Sequence, residues 1–160
     1  MHNSGSTTYK YAGAGTIYLF TTSSTHGDLI VDHEWTDALV PPNTPLPQIG
    51  SGTVGTASVD GSDPADLWFE PQDANQTFAL GVVGAWVRID GSDYRVVDQS
   101  ADRRQLLLDG AAGIVTTGDT FAGVYKFDTV TVRNGATLEF LDTAEVTTYD
   151  VDGDSQVITP

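Results

Sequence analysis

The chain has 160 residues, enough for one ordinary domain or two small β units with cores of their own. Asp and Glu total 22 against 7 Lys and Arg, a formal net charge of −15; this argues against the clustered cations that nucleic acid and anionic membrane surfaces require. Cysteine is absent, so disulfides, thiolate catalysis and cysteine-ligated zinc are excluded together, while the redox compartment stays open.

The N-terminal "MHNSGSTTYK" lacks the apolar core of a signal peptide, and no run approaches the roughly 18 apolar residues of a membrane helix. If the natural protein is exported, the chain is then an excised piece. Short runs of Thr, Val, Ile, Leu and aromatic residues, separated by Gly, Asp, Asn and Ser, predict strands at 16–20, 28–32, 52–59, 67–70, 85–89, 94–98, 105–108, 120–127, 129–132, 136–141 and 145–149. No window sustains a helical period. One turn of helix at 64–67, behind an Asp cap and Pro64, is the sole helical signal.

The predicted elements fall into three segments. Residues 1–51 form an N-terminal β segment ending in "VPPNTPLPQIGSG", where four prolines predict an extended strap and no regular element. Residues 52–123 read as a small antiparallel barrel or sandwich. There "GAWVRIDGSDYRVVDQSADRRQLLLD" supplies three strands, with a tight hairpin at Asp90-Gly91 and a longer turn at 99–102, and "GDTF" closes the set. Residues 124–160 resume a β segment. Both outer segments begin with Tyr-Lys-aromatic (Tyr9, Lys10, Tyr11; Tyr125, Lys126, Phe127) and reach a glycine followed by a run ending in Phe, "GTIYLF" and "GATLEF". Within "YKFDTVTVRNGATLEF", Arg133-Asn134-Gly135 has two readings. Asn-Gly is a hairpin signal, and a short polar link is equally the corner of a solenoid coil.

Taken in order, "AGAGTIYLF", "GDLIVDH", "PLPQIGSGTV" and "GDTFAGVYKFDTVTVRNGATLEF" resemble a recurrent module of very large bacterial surface and secreted proteins built from parallel β-helix coils. The resemblance implies an all-β fold in which short solenoid-like coils flank an inserted barrel-like unit. It also implies an extracellular or cell-surface location and a non-enzymatic structural or adhesive role. The partners it implies are neighbouring modules of the same protein or further copies of the chain. The stretch 32–43, "DHEWTDALVPPN", departs from a regular coil.

Residues that could carry chemistry are few. Asp150, Asp152 and Asp154 alternate in "DVDGDS", as hard oxygen ligands do in calcium loops, and Ca²⁺ is the one cofactor the sequence suggests. Ser155 replaces the glycine of an EF-hand loop, and no Glu follows at its twelfth position, so the EF-hand pattern itself fails. His2, His26 and His33 show no zinc-ligand spacing. Trp35, Trp68 and Trp86 are the candidates for stacking on a glycan, with core packing as the competing role. Asn75-Gln76-Thr77 matches the glycosylation triplet. No Gly-x-Ser-x-Gly elbow or phosphate-cradling glycine loop occurs, so no catalytic residue is assigned. A carbohydrate-binding module is the first alternative function, and a degenerate polysaccharide-acting β-helix enzyme the second.

Overall fold

The computed structural model describes residues 8–11, 16–22, 24–33 and 43–160. Among them lie thirteen strands and no helix: β1 (Thr8–Tyr11), β2 (Thr16–Phe20), β3 (Asp28–Asp32), β4 (Asn43–Pro45), β5 (Ser51–Val59), β6 (Leu67–Pro71), β7 (Trp86–Ile89), β8 (Ser92–Gln99), β9 (Leu106–Leu108), β10 (Thr120–Arg133), β11 (Thr137–Glu139), β12 (Thr143–Val151) and β13 (Gln156–Ile158). The chain is all-β, as its alternating runs predict. It divides into two compact units, Pro47–Tyr125 and the combination of Met1–Leu46 with Lys126–Pro160.

In the Pro47–Tyr125 unit every pairing is antiparallel. β5 pairs with β6, β6 with β9, β9 with β8 and β8 with β7. The start of β10 pairs along one edge with β5 (Phe121 opposite Gly52) and along the other with β7 (Phe121 opposite Ile89), so the circuit of ladders returns to its origin. Alternation explains the layering: in β6, Leu67, Phe69 and Pro71 are buried while Trp68 and Glu70 are half-buried on the other face. The core gathers Val54, Phe69, Phe78, Val87, Val96, Leu106, Leu108 and Phe121. Phe69 meets Phe78 and Phe121 edge-on, at centroid distances of 5.5 and 5.1 Å, the geometry that aromatic quadrupoles favour. Where the chain enters and leaves the unit, the Gly123 amide donates to the Gly50 carbonyl at 2.8 Å.

The other unit is built differently. β1 and β2 form an antiparallel pair, and β2 lies antiparallel along β3. From there the direction changes: β3 and the end of β10 are parallel and in register from Asp28 opposite Thr129 to Asp32 opposite Arg133. β12 pairs with β10 in turn. A second sheet of β4, β11 and β13 is parallel throughout, with Leu138 opposite both Thr44 and Val157. The pairs β3 and β4, β10 and β11, and β12 and β13 thus each contribute one strand to each sheet. Leu29, Val31, Val130, Val132, Ala136, Leu138 and Phe140 are buried here, and Phe127 packs near Phe140 and Tyr18.

Besides β1 and β13, which no expected span covers, three features differ from the sequence expectations. The proline strap contains a strand: β4 sits at the edge of its sheet, where Pro45 withdraws a donor that the ladder does not need. The expected strands 120–127 and 129–132 are one strand of 14 residues, because Asp128 keeps an extended backbone and turns its carboxylate onto a neighbouring loop. Residues 64–67 form no helix; Asp60 accepts from the Ser62 and Asp63 amides and binds the segment as a polar turn.

Candidate functional site

The feature nearest to a functional site is the column of corners in the unit formed by Met1–Leu46 and Lys126–Pro160. At the first corner is Asp32, at the second Arg133, Asn134 and Gly135, and at the third Asp152 to Ser155. Asn134 and Gly135 both have positive φ, 57° and 73°, and the Ala136 amide donates to the Arg133 carbonyl at 3.2 Å. The chain then leaves for the other sheet: β11 pairs with β4 and β13, so this link is a corner and not a hairpin.

Side chains tie each corner to the next. The Asn134 side-chain amide donates to Asp32 Oδ1 at 2.6 Å, and its backbone amide donates to Asp152 Oδ2 at 2.7 Å. The Gly135 amide donates to Ser155 Oγ at 3.1 Å, and the Ser155 hydroxyl donates to Asp152 Oδ1. The Gln156 amide completes the column on the Ala136 carbonyl at 2.9 Å. The Ser155 hydroxyl, with the Asn134 amide, holds the Asp152 carboxyl below its ordinary value by favouring the ionised form. Arg133 Nη2 meets Asp150 Oδ2 at 3.1 Å, with both side chains more than half exposed.

A second carboxylate performs the same task lower in the unit. Asp128 Oδ2 accepts from the amides of Thr25, His26 and Gly27 at 2.8, 3.1 and 3.1 Å, and its Oδ1 lies 3.6 Å from His26 Nδ1. Burial pushes Asp128 up, but these amides outweigh it and hold the group below the usual carboxylate range.

Two of the candidate calcium ligands have other partners: Asp150 faces Arg133 and Asp152 faces the second corner, while Asp154 is exposed. Among the described residues no group of three or more His, Cys, Asp or Glu side chains gathers as a metal-ion site would. Trp68 and Trp86 both belong to the Pro47–Tyr125 unit and occupy outward positions, half-buried, alternating with the core residues Phe69 and Val87. β9 and β8 separate their strands, and Trp68 Nε1 donates to Asp60 Oδ1 at 2.9 Å. That indole, with the Ser62 hydroxyl and amides of the turn, keeps Asp60 far below the usual carboxylate range, the Ser62 hydroxyl acting most strongly. Trp35 and His2 lie outside the described residues. Asn75 is exposed in the loop after β6.

Most cations are matched locally. Arg88 grips Asp93 with two bonds of 2.7 and 2.8 Å, Arg104 binds Glu70, and Lys126 Nζ lies 3.4 Å from Glu145. The remaining acids leave the surface strongly negative. Among the described residues no helix is long and apolar enough to cross a membrane. No family model, curated protein or solved structure matches the chain.

Sequence reasoning missed the amide-holding role of Asp152. Its signal was present, since an Asp directly after a strand and three residues before Ser155 is a turn-capping arrangement.

Proposed function

We propose that the chain is a non-enzymatic structural module of a larger surface or secreted protein, a short parallel β-solenoid interrupted by a small closed β-barrel. The observation that supports this most directly is the column of corners, in which Asp32, Asn134, Asp152 and Ser155 are all engaged in holding one turn to the next. A solenoid turn cannot bury its apolar face alone, so stacking neighbours is what such a unit does. The circuit of six antiparallel ladders supports the barrel reading, because closure removes the free strand edges that would otherwise recruit other chains.

Nuclear Overhauser contacts between backbone protons test the solenoid reading. Contacts from Leu138 to both Thr44 and Val157 are expected; contacts from Val132 to Thr137 across a hairpin would overturn it. A glycan-binding role is the second reading, favoured by the outward positions of Trp68 and Trp86. Saturable quenching of tryptophan fluorescence by neutral or acidic oligosaccharides, lost in Trp68→Phe or Trp86→Phe, would replace the structural reading with that one.

A further inference from the structure

The second corner is also a chemically reactive pair. An Asn that precedes Gly loses ammonia more readily than an Asn before a bulkier residue, because the glycine nitrogen approaches the Asn side-chain carbon unhindered. Asn134-Gly135 is the one such pair in the chain, since Asn3, Asn43 and Asn75 precede Ser, Thr and Gln. Asp60, Asp90, Asp109 and Asp152 also precede glycine, but an ionised carboxylate is a far poorer acceptor for the attacking nitrogen than a carboxamide. Asn134 is exposed, so water reaches it.

The two nitrogens that such a reaction uses are both engaged by neighbouring corners. Asn134 Nδ2, the leaving nitrogen, donates to Asp32 Oδ1 at 2.6 Å, and the Gly135 amide, the attacking nitrogen, donates to Ser155 Oγ at 3.1 Å. Between them the Asn134 amide is held on Asp152 Oδ2 at 2.7 Å. The carboxylates of Asp32 and Asp152 act in the same sense, because the glycine nitrogen attacks as its anion and like charge nearby disfavours that form. Arg133, the neighbouring cation, is directed to Asp150 at 3.1 Å.

We propose that Asn134 is a self-modification site whose rate is set by Asp32 and Ser155 and whose product undoes the column of corners. The Gly135 nitrogen forms a bond to Asn134 Cγ, the Cγ–Nδ2 bond breaks, and ammonia departs with the Gly135 proton. Water then opens the cyclic imide at one carbonyl to give Asp, or at the other to give isoaspartate. Either product sets a carboxylate where a donor faced Asp32, so attraction across 2.6 Å becomes repulsion between like charges. Isoaspartate also adds a carbon to the main chain between β10 and β11. The corner thus has an off state, reached irreversibly by slow chemistry whenever its bonds open.

The test holds the full chain in mildly alkaline buffer, folded or unfolded in guanidinium chloride, and follows conversion at Asn134 by mass spectrometry with fragment ions that distinguish Asp from isoaspartate. The folded chain should convert about a hundredfold more slowly than the unfolded one, because reaction requires the corner to open locally. Ser155→Ala should raise the folded rate about fivefold and Asp32→Ala about tenfold, for loss of a neutral and of a charged hydrogen bond. Exchange protection across β2 and β3 in the same samples shows that each variant is folded; if Asp32→Ala loses it, Ser155→Ala, which removes only a hydroxyl, decides. Asn134→Asp, which carries the product's charge, should lose exchange protection at the Gly135 and Gln156 amides while β2 and β3 keep theirs. Equal rates in the folded and unfolded chains, or a folded rate unmoved by the variants, overturn control by the neighbouring corners. Absence of conversion at Asn134 in the unfolded chain overturns the site itself, and full protection in Asn134→Asp overturns its consequence.

Discussion

Asp90-Gly91 and Asn134-Gly135 are two nearly identical links with opposite outcomes. Both pairs have positive φ at both residues, 47° and 86° in the first and 57° and 73° in the second, as a two-residue type I′ turn requires. After the first, the chain folds back, setting Ile89 opposite Ser92 in an antiparallel ladder. After the second it departs, and Thr137 finds Asn43 and Gln156 in another sheet. The turn is a local choice and the route afterwards is not. At 90–91, the incoming and outgoing strands bury Val87, Ile89, Tyr94 and Val96 on one core, so pairing back completes a face. At 134–135, Asp32 and Asp152 hold the link from either side, and Leu138 is buried between turns.

The comparison can be broken most severely at Leu138. Leu138→Ala should cost about 2–5 kcal/mol in urea unfolding, the usual range for a fully buried leucine, with exchange in the 86–99 hairpin unchanged. Equal loss of protection in the hairpin would show that the two regions are not independently held. Next come the glycines. A Cβ added at Gly91 or Gly135 meets nothing within 4 Å, so Gly91→Ala and Gly135→Ala should each cost roughly 1–2 kcal/mol through backbone strain alone. Unequal costs would mean that the two turns differ locally after all.

Acid should act on the corner. Asp152 and Asp128 are held below the ordinary 3.8 in the folded chain, so the fold favours their ionised forms. Their contribution is complete above about pH 4 and is lost as pH falls through the depressed folded values. Between about pH 4 and 2, the amides of Asn134 and of 25–27 should lose exchange protection progressively, and Asp152→Asn should remove the pH dependence at Asn134 alone. The smallest effect belongs to Arg133→Gln, since an exposed ion pair contributes about 0–1 kcal/mol and is screened by salt. Thermal melts at low and high salt should converge for the wild type and this variant.

Much of the fold was readable because period-two alternation with β-branched residues records a half-buried strand directly; β2 and β3 occupy their expected spans. β4 was hidden because proline at a sheet edge looks the same in sequence as proline in a loop. β13 was hidden because Gln156–Ile158 is too short to show a period. The choice between corner and hairpin was out of reach for a deeper reason: Asn-Gly encodes only φ, and the partners that decide the route lie 102 residues upstream at Asp32 and 18 downstream at Asp152. Likewise, the spacing of the alternating aspartates shows which carboxylates exist and not which amides reach them first. The tryptophans were placed only by alternation with Phe69 and Val87, which sets their face but not their use.

The bond from Gly123 to Gly50 gives the chain a mechanical character. Because residues 51–53 and 120–122 are zipped together immediately behind it, tension applied at 47 and 125 meets this clamp before it reaches anything inside. The loop between is stored contour length, shielded while the clamp holds and paid out when its few rungs open in succession.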